Sequence, residues 1–248
     1  MLCRLVLFVT LAMITAMSAR AETVAPFDEG PQDKSFVAFR NAVLTALKAR
    51  NYRALGRAAS SDIFLGFGGR NGRAQFLRFL AGDKKMHGKL APKLAADYRG
   101  HLEWVLRNGG GFTKDRKTFV APYPNAYEFR VPKCEAKPRP KTRAKLQVCA
   151  LDPHARGYII GRDIPIYAAQ SSQSKIVARL THRLVELDKH VIKRMPDGRR
   201  VRQWSRVKLQ DGRRGWIRPI QYYAATGYRL RAAKRRGRWQ ITHFLAGD

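Results

Sequence analysis

The stretch Trp204–Tyr223, WSRVKLQDGRRGWIRPIQYY, decides how the rest of this sequence is interpreted. Val207 and Leu209 alternate with charged residues, which is the period-two pattern of a β-strand. Asp211-Gly212 then supplies the positive φ that a tight hairpin turn requires, and Gly215-Trp216-Ile217 opens a second strand. The stretch therefore predicts a β-hairpin.

Short apolar runs before this hairpin predict further strands. They lie within residues 157–167, 176–180 and 184–187, with polar turn residues between them. Strands at this spacing fit a small β-barrel. The segment KRMPDGRRVR, between Val191 and Arg202, has a Pro-Asp-Gly turn with basic flanks, and we expect an exposed loop there.

The spacing W-x-x-V-x-L-x-D-G-x-x-G-W-I, with Ser174-Lys175-Ile176-Val177-Ala178-Arg179-Leu180, resembles bacterial SH3-like domains of cell-envelope proteins. This resemblance covers about residues 158–223. Ile164-Pro165-Ile166-Tyr167 stands where that family carries an N-V-R-x-G-P-S-like loop, and the usual Arg and Gly of that loop are missing. The resemblance implies a small barrel that binds a peptide or glycan.

The rest of the chain is expected to contain helices and a few strands. Apolar residues at helical spacing predict helices from Asp33, the N-cap, and over Asn51–Ala59, Arg73–Leu80 and Pro92–Asn108. Strands are predicted at Ile63–Phe67, Phe119–Val120 and Tyr127–Val131. Alternating residues around Leu230 and Ile241 predict a C-terminal hairpin that packs on the first domain. Its R-G-R-W-Q-I-T pattern is similar to the closing strands of nuclear-transport-factor-2-like α+β cones.

The predicted fold class is α+β: a mainly helical N-terminal α+β domain, a small SH3-like β-barrel, and a C-terminal hairpin that returns to the first domain. The similarity to the cone would make the barrel an insertion rather than an appendage. The expected boundaries are 1–21 signal peptide, 22–32 flexible leader, 33–157 helical α+β domain, 158–223 barrel and 224–248 hairpin.

The N-terminus predicts export. Arg4 precedes an apolar run, Leu5–Met17, and Ala19-Arg20-Ala21 is a typical cleavage site, so we expect a signal peptide cleaved after Ala21 and a periplasmic or secreted protein. No later stretch is apolar enough to span a membrane. The formal net charge is +31, which favours association with polyanions without naming one. For an exported chain, the expected partner is an anionic envelope polymer or an envelope protein, and nucleic acid is less accessible.

The reactive residue types occur singly. Cys134 and Cys149 enclose a Lys- and Pro-rich segment, and in an oxidising compartment we expect them to form a disulfide. The histidines lack metal-ligand spacing, so no metal site is predicted. The loop Gly68–Gly72 lacks the P-loop ending and the dinucleotide spacing, so no cofactor is predicted. Glu186 and Asp188 lie on one face of a predicted strand, and the sequence around them gives no sign of a cleft.

Aromatic residues with basic neighbours are the best candidate site, because they can stack on flat or sugar rings and hold anions. The candidate ligand-binding residues are Trp204, Trp216, Tyr222, Tyr223, Arg199, Arg214 and Arg218. Core packing is the competing interpretation for both tryptophans, whereas Tyr222 and Tyr223 are expected to be exposed.

The leading hypothesis is a non-enzymatic envelope-binding protein. The alternatives are a cell-wall hydrolase or transferase with its active site on the first domain, and a general binder of lipopolysaccharide or nucleic acid.

Overall fold

The computed structural model of the protein describes residues 23–130, 152–209 and 211–247. The predicted signal peptide and the predicted Cys134–Cys149 disulfide lie outside these residues. The helices are α1 (Lys34–Lys48), α2 (Tyr52–Ala58), α3 (Arg73–Ala81), α4 (Lys84–His87), α5 (Ala91–Arg107) and α6 (Tyr123–Arg130), with 3-10 turns at Gly30–Gln32, Gly88–Leu90 and Pro219–Gln221. No helix in these ranges is both long and apolar enough to cross a membrane.

The architecture is α+β, as predicted, with two separate sheets. The strands are β1 (Ala59–Phe64), β2 (Gly111–Phe112), β3 (Thr118–Ala121), β4 (Arg156–Ile159), β5 (Ile164–Tyr167), β6 (Ile176–Leu180), β7 (Leu184–Arg194), β8 (Arg200–Lys208), β9 (Arg214–Ile217), β10 (Tyr222–Ala224), β11 (Arg229–Arg235) and β12 (Arg238–Leu245). The five-stranded sheet has the order β1-β12-β11-β3-β2, and the seven-stranded sheet has the order β10-β4-β7-β8-β9-β5-β6.

The predicted helix starts are confirmed by their caps. The Asp33 carboxylate accepts a hydrogen bond from the Phe36 amide at 3.0 Å, and the Asn51 side chain accepts one from the Ala54 amide at 3.0 Å. Both side chains satisfy amides that a helix leaves without a partner in its first turn. Local hydrogen bonds therefore fix the residue at which each of these two helices begins.

The five-stranded sheet joins distant parts of the chain. β12 pairs in parallel with β1 and antiparallel with β11, and β11 pairs with β3. The chain thus leaves this sheet after β3 and returns to it at β11. One face of the sheet buries Leu230, Ile241 and Phe244 against α1, α2, α3 and α5, with Phe36 among the fully buried residues of this core.

The predicted hairpin is confirmed in the seven-stranded sheet. β8 and β9 are antiparallel, with Val207 opposite Gly215, and Gly212 has a φ of 84° in the turn. A side chain at Gly215 would collide with Ile166 of β5, so glycine allows β5 and β9 to pair closely. This sheet curls around a core that includes Ile159, Ile166 and Val207.

The segment between Val191 and Arg202 differs from its predicted structure. The loop expected between Val191 and Arg202 is mostly strand, since β7 runs to Arg194 and β8 begins at Arg200. Only the turn was identified correctly, closed by the Met195 amide donating to the Arg199 carbonyl at 2.7 Å. Its basic flanks tolerate strand geometry because a two-stranded ribbon that projects from a sheet can expose charged side chains to water.

The strand predicted at Tyr127–Val131 is wrong over its described part. Tyr123–Arg130 forms α6, and the amide of Ala126 donates to the carbonyl of Pro122 at 3.1 Å. Pro124 lies in the first turn, where a missing amide proton costs no helical hydrogen bond. The strand predicted at Ile63–Phe67 is displaced toward the N-terminus and is β1.

The expected flexible leader is packed over its described part. The Val24 amide donates to the His182 carbonyl at 2.7 Å, and the Glu29 amide donates to the Gly110 carbonyl at 2.9 Å. Val24 is fully buried with Tyr158, Leu184 and Tyr223 in a third core, which also contains Tyr123 and Ala225. We call this third core the joint, because it lies between the helical part and the curled sheet.

The expected domain boundary after residue 157 falls inside a strand, because β4 begins at Arg156.

Replacing Phe36 with alanine tests the helix-facing core. Phe36 is fully buried and its ring lies 4.1 Å from that of Phe119 and 5.2 Å from that of Trp239. Removing such a ring leaves a cavity, so Phe36→Ala should lower the free energy of unfolding by about 3 to 5 kcal/mol in a urea titration. Ile220→Ala, at a position that is 83% exposed, is the control and should change stability by less than about 0.5 kcal/mol. Equal losses for the two variants would contradict the assignment of this core.

Candidate functional site

The outer surface of the curled sheet carries aromatic and arginine side chains together. Along β8, Ser205 and Val207 are fully buried, so the alternation of a strand places Trp204 and Arg206 on the opposite face. Trp216 of β9 is paired with Arg206 of β8 on one side and with Tyr167 of β5 on the other. We call this set the aromatic–arginine face: Tyr167, Trp204, Trp216, Arg206, Arg214 and Arg218.

The side chains of this face are in contact with one another. The Arg218 guanidinium lies 5.3 Å from the centre of the Trp204 ring, and the Arg206 guanidinium lies 6.0 Å from that of Trp216. The Tyr167 ring meets the Trp204 ring edge to face at 5.9 Å. Both indoles are half-buried. The interpretation of the two tryptophans as barrel core is therefore wrong, and each keeps part of its surface accessible to a ligand.

Asp188 fixes two of the arginines. Its carboxylate accepts hydrogen bonds from Arg206 Nε at 2.7 Å and from Arg214 Nε at 2.9 Å. The hydrogen bond from Arg206 lowers the pKa of Asp188 most, burial opposes it, and Arg214 lowers it further. Asp188 therefore stays ionised and orients both guanidinium groups. Arg206 and Arg214 share this one acid, and Arg218 adds a third positive charge, so the described part of the face remains positive.

This arrangement can bind a ligand that has flat apolar faces and negative charge. Exposed indole surface stacks on rings, and arginine forms planar, paired hydrogen bonds with carboxylate or phosphate oxygens. Four members of this set, Trp204, Trp216, Arg214 and Arg218, were predicted from the sequence. Tyr167 was not, because its position opposite Trp216 depends on how β5 and β9 pair. The contacts of Asp188 with the arginines were not predicted either.

Tyr222 and Tyr223 are buried, at 6% and 5% exposure, so the expectation of exposed rings is wrong. The Tyr222 ring belongs to the core of the curled sheet. Tyr223 points to the joint, where its ring stacks with that of Trp104 on α5 at 5.8 Å. β10 is thus covered on both faces, which leaves neither tyrosine on the aromatic–arginine face.

Arg199 is also separate from the aromatic–arginine face. It lies in the turn between β7 and β8, and its guanidinium contacts Asp197 at 2.8 Å and Asp97 of α5 at 3.6 Å. Lys93 of α5 in turn reaches Asp197 at 3.6 Å. Arg199 therefore connects the tip of the ribbon to the helix rather than facing a ligand groove with Tyr222 and Tyr223.

A polar network lies inside the curled sheet. Tyr222 exchanges a hydrogen bond with Ser205 at 2.6 Å and receives one from Arg202 at 2.9 Å, and Ser205 lies 2.8 Å from Nδ1 of His190. A bulge in β8 between Trp204 and Arg202 allows Arg202 to reach this side of the sheet. Ser205 is fully buried, so the serine and histidine do not form an accessible nucleophile and base.

The histidine of this network was interpreted as isolated in the sequence. Burial lowers the pKa of His190 below its ordinary value of 6.5, and the charge of Arg202 lowers it further, while Asp188 opposes the shift. Within the described ranges, no group of three or more His, Cys, Asp or Glu side chains could hold a metal ion.

Comparisons with known proteins give no family assignment. No protein-family model, curated protein or solved structure matches this chain.

The lowered pKa of His190 predicts a loss of stability in mild acid. As the pH falls below about 6.5, the unfolded chain binds a proton before the folded state does, which favours unfolding. Burial also lowers the pKa values of His101, His182 and His243, so their contributions have the same sign. The thermal midpoint should therefore fall between about pH 7.5 and pH 5.5, and His190→Gln should reduce that fall.

His154→Gln is the matched control, because it removes an exposed imidazole outside the network. A midpoint that rises on acidification, or a pH dependence that is identical in His190→Gln and the parent protein, would contradict the account of His190.

Proposed function

We propose that this chain is an exported, non-enzymatic binding protein that holds an anionic cell-envelope polymer on its aromatic–arginine face. The proposal places the protein in the periplasm or outside the cell. The observation that carries it is the contact of Trp204 and Trp216, both half-buried, with the guanidinium groups of Arg218 and Arg206. Peptidoglycan, with sugar rings and peptide carboxylates, offers both kinds of group that such a surface binds.

In this proposal the curled sheet is an SH3-like module inserted in a cone of the nuclear-transport-factor-2-like type. Support comes from the pairing of β11 with β3 and of β12 with β1, on either side of the chain segment that forms the curled sheet. Further support comes from the hairpin β8–β9, whose Trp, Asp-Gly and Gly-Trp-Ile positions carry the resemblance. The insertion leaves the outer face of β5, β8 and β9 available to a polymer.

The charge of the chain adds a second, less specific attraction. With a formal net charge of +31, the whole surface draws polyanions over distances comparable to the Debye length, and salt weakens that attraction. Contact with the indole rings is much less sensitive to salt. Measuring binding at low and at high salt therefore distinguishes binding at the aromatic–arginine face from binding by overall charge.

Retention on purified peptidoglycan at low and high salt tests the proposal. The parent protein should be retained at both salt concentrations. Trp204→Ala combined with Trp216→Ala should lose retention at high salt, because stacking on one aromatic residue contributes about 1 to 3 kcal/mol, or roughly 5- to 150-fold in affinity. Arg214→Gln combined with Arg218→Gln should weaken binding without removing a ring, and it keeps the test decisive if the tryptophan variant unfolds.

Arg53→Gln combined with Arg57→Gln is the matched control, since it removes two exposed charges from α2 and leaves the aromatic–arginine face intact. Loss of retention that is equal in this control and in the arginine variant of the face would favour a general polyanion binder. Absence of retention at either salt concentration overturns the proposal, and clearing of wall substrate in a zymogram would replace it with a hydrolase.

A further inference from the structure

The five-stranded sheet has a pocket of about 360 Å³ on the face opposite α1, α2, α3 and α5, with Asn125 of α6 in its lining. The pocket is lined by Phe64, Phe67, Asn125, Arg229, Leu230, Arg231, His243 and Leu245. It is separate from the aromatic–arginine face, which lies on the other sheet.

Strand alternation explains why polar side chains meet there. Leu230 and Phe244 are paired across β11 and β12 and point into the helix-facing core. Their neighbours therefore point the other way: Arg231 is paired with His243, and Arg229 is paired with Leu245. Two arginines and one histidine thus line one small concave surface.

Two arginines bring positive charge to the lining of this pocket. The Arg229 guanidinium donates to the carbonyl oxygens of Gly227 at 3.3 Å and Gly247 at 2.9 Å, and neither carbonyl neutralises it. Burial lowers the pKa of Arg231, and the like charge of Arg229 lowers it further. No Asp or Glu lines the described part of the pocket.

His243 adds a polar ring to the pocket, and its Nδ1 lies 3.0 Å from Oγ1 of Thr242, whose hydroxyl donates to the carbonyl of Arg231. Burial lowers its pKa, and Arg231 and Arg235 lower it further, while Asp62 opposes the shift. The imidazole is therefore neutral near pH 7. Asp62 itself is held by Arg235 at 2.8 Å, outside the pocket lining.

Two phenylalanines form the apolar side of the pocket. Phe67 is 76% exposed and follows Gly66, which has a φ of 153°. Its ring meets Phe64 edge to face at 5.0 Å, and Phe64 lies 5.7 Å from the ring of His243. The pocket therefore has an apolar side beside its basic side, and Phe67 keeps most of its surface accessible.

From this arrangement we infer that the pocket binds a small anion with a flat ring, in which a phosphate or carboxylate contacts Arg229, Arg231 and His243 while the ring contacts Phe67. The volume is at the small end of the range of ligand pockets, which suits a single ring with one anionic group. Paired hydrogen bonds from arginine match the oxygen geometry of both anions.

Calorimetric titration with phenyl phosphate, inorganic phosphate and phenol tests this inference. Phenyl phosphate should bind at least about fivefold more tightly than inorganic phosphate, since ring contact adds about 1 kcal/mol or more. Phenol should bind too weakly to measure. Phenyl phosphate and benzoate together show whether phosphate or carboxylate is preferred.

Two variants separate the two parts of the pocket. Arg231→Gln should reduce the affinity for both phosphates about tenfold or more, because it removes a charged donor from a partly buried site. Phe67→Ala, at an exposed position that is not expected to affect folding, should abolish the preference for phenyl phosphate and preserve binding of inorganic phosphate.

Arg238→Gln is the charge control, because it removes an exposed arginine from β12 outside the pocket lining. The combined variant Trp204→Ala and Trp216→Ala should bind phenyl phosphate as the parent does, so the result is independent of the proposed envelope binding. Equal affinity for the two phosphates in the parent protein, or equal losses in Arg231→Gln and Arg238→Gln, would overturn the inference.

Discussion

The joint is the packing constraint on which the rest of the structure depends. Trp104 of α5 stacks with Tyr223 of β10, and Tyr158 of β4 is fully buried beside them with its hydroxyl donating to Glu128 at 2.5 Å. These contacts join the helical part of the chain to the edge of the curled sheet. The burial of Val24 brings the N-terminal segment into the same core. Four parts of the chain that are distant in sequence are therefore held by one cluster of aromatic and aliphatic side chains.

Strand alternation then determines which side chains lie on each face of the two sheets. On β8 it sends Ser205 and Val207 into the curled sheet and Trp204 and Arg206 to the outside. On β11 it sends Leu230 into the helix-facing core and Arg229 and Arg231 to the other side. Both candidate binding surfaces thus arise because a strand with one buried face must place its polar residues on the other face.

The parts of the fold that sequence reasoning predicted depend on local chemistry. Asp211-Gly212 specifies a hairpin through backbone conformation alone, and Asp33 caps α1 through an amide three residues away. The burial of Tyr223 could not be predicted in this way, since Trp104 covers it from a helix more than a hundred residues earlier. The outward position of Trp204, by contrast, follows from its alternation with the buried Val207 along β8, a signal that the sequence contains. The ribbon flanking the turn at 195–199 resembled a loop because its exposed strands lack an apolar face.

The ionic contacts at the tip of the β7–β8 ribbon have a consequence for how salt acts on the protein. Arg199 with Asp97, and Lys93 with Asp197, connect the turn to α5 through partly exposed charges. Such contacts contribute little individually and weaken as ions screen them. Rising ionic strength therefore loosens the far end of the ribbon while the joint, which is apolar, keeps its near end in place. The ribbon is consequently anchored at one end by packing, and the ionic strength of the solution determines how freely its other end moves.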